Sequence, residues 1–161
     1  MYERILLAYD GSLEGAVALR EGALLAKRCG AKVYILSVVP QGAGVRLAEG
    51  VYAAAISHQT ESYKELLAKG VSRLKQLGLD PVARLCVGEP VKAICSFARE
   101  VNADLVVVGH QKKGLLDRWW SGSTGAYISD SIRCSLLIAR NPVSDADFEA
   151  ELRHEVAATG S

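Results

Sequence analysis

The chain is expected to fold as α/β: a doubly wound three-layer sandwich around a five-stranded parallel sheet. Three observations predict this. Five short apolar runs alternate with segments of helical periodicity. The runs are apolar at successive positions, as in strands covered on both faces, which is the mark of a parallel sheet. Glycine, serine and proline punctuate the junctions. At 161 residues, with 19 basic against 18 acidic side chains and half of all residues hydrophobic, the chain has the length and composition of one globular domain.

The first run is Ile5-Leu6-Leu7-Ala8-Tyr9. A helix follows from about Ser12 to Cys29, with Ala16, Leu19, Ala23 and Ala26 on one face, Ser12 as N-cap and Gly30 just past the end. The second run, Val33 to Val39, is rich in β-branched residues. A longer helix is expected over residues 53–77, on the stripe Ile56, Tyr63, Leu67, Val71, Leu74 and Leu77. The third run is Val82 to Val87. Gly88-Glu89-Pro90 then opens a helix whose buried face is Val91, Ile94, Ala98 and Val101, proline being favoured at a first helical position. Leu105 to Val108 is the fourth run, and Leu136 to Ala139, after a helix over residues 123–132, is the fifth.

Two segments stand apart. Residues 40–50 carry Gly42, Gly44 and Gly50 and suit no core, so they read as a flap or a plain connector above the strand ends. Residues 141–161 extend beyond the domain at 1–140; Phe148, Leu152 and Val156 recur every fourth position there, as in a short amphipathic helix, and a frayed tail is the alternative.

Composition narrows the function classes. A formal charge of +1 with no basic run gives no electrostatic case for nucleic acid or a membrane surface. No apolar stretch reaches the 18 residues of a membrane span, and the charges at Glu3, Arg4 and Asp10 leave no room for a secretory leader, so a cytoplasmic protein is expected. Cys29, Cys86, Cys95 and Cys134 show no C-x-x-C pair and no histidine at ligand spacing; they read as structural thiols, with no metal site. His110 lies on the expected ligand edge without a nucleophile beside it, and no catalytic residue is assigned.

In a doubly wound sheet, ligands sit beyond the carboxyl ends of the strands where the strand order reverses. That rule points to Asp10-Gly11-Ser12, to the residues after Val38, and to Gly109 onward. The segment from Gly109 to Gly125 follows a strand and ends by opening a helix at Gly122-Ser123-Thr124. Such a helix start, with unpaired N–H groups and the positive end of the helix dipole, suits a phosphate; the same residues also suit a plain helix cap. Neither a Walker A loop nor a G-x-G-x-x-G fingerprint is present.

Together, Ile5-Leu6-Leu7-Ala8-Tyr9-Asp10-Gly11-Ser12, Val87-Gly88-Glu89-Pro90, Asp104-Leu-Val-Val-Val-Gly109, Gly122-Ser123 and Cys134-Ser-Leu-Leu-Ile-Ala-Arg140 resemble the universal stress protein family over residues 3–140. These are small cytoplasmic domains related to adenine-nucleotide α-hydrolase-like folds. The resemblance implies a stress-response module that binds ATP (or AMP or ADP, with Mg2+), and that is regulatory rather than metabolic. It implies a homodimer through the last strand, Leu136 to Arg140, with an unidentified protein partner. By position, Asp10 would bond the ribose or the adenine edge, with Ala8 beside the base. Val38 would offer its backbone to adenine and Gly109 would lie under the ribose. Gly122, Ser123 and Thr124 would hold phosphates.

Nucleotide-binding members carry Gly-x-x-Gly, nine residues, then Gly-Ser or Gly-Thr. Gly109 and Gly122-Ser123 match, but the second glycine is replaced by Lys112. A side chain there costs ~1–2 kcal/mol if the backbone must be left-handed, whereas the ammonium can pair with a phosphate. The alternatives are a structural dimer that holds no ATP, and a slow ATPase or autophosphorylating protein using Ser123 or Thr124. Trp119-Trp120 has no assigned role.

Overall fold

The computed structural model describes residues 1–40, 49–110, 128–140 and 144–159. Its elements are β1 (Arg4–Ala8), α1 (Leu13–Cys29), β2 (Lys32–Pro40), α2 (Glu49–Gln76), β3 (Val82–Gly88), α3 (Pro90–Glu100), β4 (Leu105–Gly109), α4 (Ile128–Ser131), β5 (Ser135–Ala139) and α5 (Asp145–Thr159). All strand pairs are parallel, in the order β3-β2-β1-β4-β5. The expected α/β sandwich is present.

Alternation along the strands sorts the core into two layers. Ile5, Leu7, Val33, Ile35, Leu105 and Val107 face α1 and α2, meeting Ala18, Leu19, Ala23, Leu67 and Leu74. Leu6, Leu36, Val38, Val106 and Val108 face α3 and α4, meeting Val91, Ile94, Phe97, Ala98 and Ile128. Tyr34 joins this second layer, its ring edge-on to Phe97 at 6.1 Å between centroids. The three inner strands, β2, β1 and β4, are buried through their middles. Edge strands β3 and β5 are only half-buried, because among the described residues each lacks a strand neighbour on one side.

The expected punctuation is in place. Ser12 caps α1, its hydroxyl accepting from the Gly15 amide at 2.9 Å. Gly30 ends that helix in the left-handed conformation, with φ 63°. Pro90 occupies the first turn of α3 behind Glu89, whose carboxylate accepts from the Val91 amide at 3.2 Å.

Three boundaries differ from expectation. Tyr9 lies beyond β1, since its amide bonds to the Leu36 carbonyl while its own carbonyl accepts the Ser37 hydroxyl rather than continuing a ladder. Helix α2 begins at Glu49, so Glu49 and Gly50 belong to the helix rather than to the loop; residues 41–48 lie outside the described residues. Of the helix expected over 123–132, only Ile128–Ser131 is described.

The tail folds as α5, opened by Ser144, which accepts from the Asp147 amide at 3.1 Å and donates to its carboxylate at 2.7 Å. Phe148 is 5% exposed and part of the core layer under α1. Arg20 pairs with Asp145, and Arg28 lies 3.6 Å from Glu151.

Candidate functional site

From β1 the chain builds outward to β2 and β3, then crosses back to lay β4 and β5 on the other side of β1. The strand order therefore reverses between β1 and β4. In a doubly wound sheet this reversal is where a ligand crevice is expected, beyond the carboxyl ends of the two strands, because the connections leave in opposite directions.

Asp10 stands at this edge. Its Oδ1 accepts from the Ser12 amide at 3.0 Å and from the Ser12 hydroxyl at 2.6 Å. The same hydroxyl accepts from the Gly15 amide. One chain of bonds thus runs from the carboxylate through Ser12 into the first turn of α1, whose positive dipole end faces the negative charge. Asp10 thus closes a turn at the head of α1, and that turn holds the carboxylate at the strand end.

Gly109 closes the other side. A Cβ at this position would stand 2.5 Å from the Glu14 carbonyl oxygen and 2.9 Å from the Gly15 nitrogen, so only a bare backbone fits. The next residue, His110, bonds through its amide to the Ala139 carbonyl at 3.2 Å. The first turn of α1 is the common neighbour of Asp10 and Gly109.

Ala8 and Val38 share the α3 and α4 side of the sheet, Ala8 half-buried and Val38 buried. The fully buried Ser37 hydroxyl donates to the Tyr9 carbonyl at 2.6 Å, tying the end of β1 to β2. Ala8, Asp10, Val38 and Gly109 thus come together along one edge, in the register of β2, β1 and β4. Lys112, Gly122, Ser123 and Thr124 lie outside the described residues, as do Trp119 and Trp120.

Sequence reasoning missed the opposite wall. Gly11 has φ 74°, and a Cβ there would overlap Leu66 of α2. Tyr9 packs beside Gly70, and Tyr63 is half-buried one turn before Leu66. Burial pushes both phenols up, and the Asp10 charge pushes them further, while Arg73 pulls Tyr9 back. Both hydroxyls stay protonated at neutral pH. The signal was available in Tyr63, Leu66 and Gly70, which recur at three and four residues, Tyr63 being a member of the apolar stripe itself.

Among the described residues no three histidine, cysteine, aspartate or glutamate side chains gather as metal ligands. All four cysteines are free; burial raises Cys95 and Cys134, so neither is an activated thiolate. His58 and His154 are exposed. Among the described residues, no helix is long and apolar enough to cross a membrane. The carboxyl edge offers the Asp10 carboxylate and the Tyr9 phenol, groups suited to holding a polar ligand.

Comparison with known proteins agrees with this architecture. A universal stress protein of Staphylococcus aureus (strain USA300) is 30% identical over 154 residues, covering 94% of this chain and 92% of the relative. A universal stress protein solved in complex with cAMP is 26% identical, with a TM-score of 0.63, over 86% of this chain and 97% of that one. The UspA protein of Lactobacillus plantarum shares the fold at 20% identity and a TM-score of 0.70, over 86% of this chain and 98% of that one. The sequence profile of the universal stress protein family matches residues 1–140, and the chain belongs to that family.

Proposed function

We propose that this chain binds an adenine nucleotide in the crevice between the ends of β1 and β4, and acts in the cytoplasm as a stress-response regulatory module. The observation that carries the reading is the meeting of Asp10 and Gly109 on the first turn of α1, at the reversal of strand order. The complex of a 26%-identical relative with cAMP supports the ligand class. In this reading the base lies toward Ala8 and the Val38 backbone. Asp10 takes a sugar hydroxyl, and Gly109 lies under the ribose. Lys112, Gly122, Ser123 and Thr124 receive the phosphates, ATP with Mg2+ being the fullest ligand of this class.

Self-association is proposed through β5. Leu136, Leu137 and Ile138 are half-buried on a strand that, among the described residues, pairs only with β4, and an unpaired edge of this kind is a template for a second copy. The proposed output is a change of protein partner on nucleotide occupancy rather than turnover.

Titration of the purified chain with ATP and AMP tests the site. Micromolar ATP binding is expected, and Gly122→Val is expected to abolish it by filling the phosphate space; an unchanged affinity removes the assignment. Lys112→Gly is expected to alter ATP affinity more than AMP affinity, since position 112 falls near the outer phosphates. Lys112 in place of the family's glycine favours a second reading, a structural dimer that holds no nucleotide. Under that reading ATP fails to bind while native mass spectrometry still shows the dimer.

A further inference from the structure

A groove of about 970 Å³ separates α3 from the segment that links α4 to β5. One wall is a single face of α3, where Lys92, Ser96, Arg99 and Asn102 follow one another at three and four residues. Ser131 and Arg133 stand on the other wall, and the floor is apolar, with Cys95 and Ile132 buried. From Lys92 to Asn102 the α3 wall spans about 15 Å, the length of about five residues of extended chain. The walls run on into Ala103 and Cys134, just ahead of β4 and β5. The groove thus reaches the end of the sheet opposite to the edge where Asp10 and Gly109 stand.

Its charge has one sign. Lys92, Arg99 and Arg133 line it, and among the described residues no carboxylate does. Carboxylates close by in the chain are held elsewhere. Glu89 accepts from the Val91 amide, Glu100 accepts from Arg84, and Asp104 accepts from the amides of Glu3 and Arg4. Lys92 lies 3.8 Å from Glu89, but neither Arg99 nor Arg133 forms an ion pair among the described residues. Both arginines are exposed at the rim, and the Nε of Arg99 donates to the Cys95 carbonyl at 3.3 Å, which holds that side chain back along α3. Guanidinium groups match carboxylates in a two-pronged geometry. The volume is that of a site for a ligand with a body, larger than a lone ion needs.

We propose that this groove docks an acidic, extended peptide segment of a partner protein, its carboxylates on Arg99 and Arg133 and its apolar side chains on the floor. The inference goes beyond the nucleotide reading and does not depend on it.

The test is fluorescence anisotropy of the full chain, without nucleotide, against a labelled peptide that alternates glutamate with leucine. A peptide with lysine in place of glutamate is the control, citrate is the small-anion probe, and each variant is also melted. Wild type is expected to bind the acidic peptide and not the basic one. Arg99→Glu and Arg133→Glu are each expected to weaken binding by about 10-fold or more, since like charges then face each other. Lys75→Glu, which changes the net charge equally but lies on α2 across the sheet, is expected to stay within about 2-fold of wild type. Arg133 is exposed, so its variant is expected to melt with wild type and carries the result even if Arg99→Glu unfolds. Absence of peptide binding to wild type overturns the proposal, as does full affinity in Arg133→Glu. So does an equal loss in Lys75→Glu, which marks attraction to overall charge. Citrate binding as tightly as the peptide identifies a small-anion site and overturns the peptide reading. Because no nucleotide is present, each of these outcomes is read separately from the ATP titration.

Discussion

Gly109 and Glu14 meet backbone to backbone: a Cβ on Gly109 would lie 2.5 Å from the Glu14 carbonyl oxygen. The end of β4 is thereby pressed against the first turn of α1. The sequence places Gly109 at a motif position; the structure adds that the fold itself demands glycine there.

Gly109→Ala is therefore expected to destabilise the chain even without ligand. The obstacle is backbone, which has no rotamer to change, so a cost of ~1–3 kcal/mol is expected. Urea denaturation in nucleotide-free buffer measures it, and a midpoint equal to wild type refutes the contact.

Ser12 joins the Asp10 carboxylate to the Gly15 amide. Ser12→Ala should cost ~1 kcal/mol as a lost N-cap. It should also weaken nucleotide binding, since Asp10 loses both its hydroxyl donor and part of its anchoring. Ser12→Thr keeps the hydroxyl and should recover most of both. A threonine variant as impaired as alanine would disprove the role of the hydroxyl.

Phe148 carries the tail into the core at 5% exposure, beyond the residues 1–140 that match the family. Phe148→Ala should destabilise the chain by ~3 kcal/mol, as for other buried phenylalanines. Removal of residues 141–161 should have an effect of similar size. If the truncated chain melts with wild type, α5 is not part of the folding unit.

Glu21 on α1 has a buried Oε2 with no hydrogen-bond partner among the described residues, and burial raises its carboxyl above the usual value of 4.5. The sign follows from linkage. Below 4.5 both folded and unfolded chains hold the proton and stability is full. As pH rises toward the folded value, the unfolded chain ionises first and stability is lost. Glu21→Gln should thus raise the melting temperature at pH 7 and have little effect at pH 4. An equal gain at both pH values would point to packing instead.

The ion pair on the β3 edge runs the other way. Glu100 is held below 4.5 by its hydrogen bonds from Arg84, one of them 2.6 Å long, while Arg84 also lies over the Phe97 ring at 4.3 Å. Its contribution is present above 4.5 and fades as pH falls through the lower folded value. Glu100→Gln should flatten that acid limb slightly, the pair being exposed. A wild-type acid transition in the variant would show that the pair adds nothing.

Most of the fold was legible along the chain because its signals are local. Val33 to Val39, apolar except for Ser37, and Leu105 to Val108, apolar throughout, fall on inner strands. Ser12, Gly30 and Pro90 mark helix ends by the backbone groups they satisfy or omit. The start of α2 was less legible, since Gly50 is a poor helix former and residues 49–52 precede the apolar stripe.

The site divides along the same line. Asp10 and Gly109 stand out in sequence because a carboxylate after one strand and a glycine after another are local features of a ligand edge. That they share a neighbour in Glu14 and Gly15, and that Leu66 fills the space over Gly11, depends on how α1 and α2 pack on the sheet and on the crossover from β3 to β4. The sequence alone determined the alternation of strands and helices and the family, through propensity, burial pattern and end residues. Only the tertiary structure decided which distant side chains face one another, because contacts between residues a hundred positions apart come from packing and leave no period in the chain.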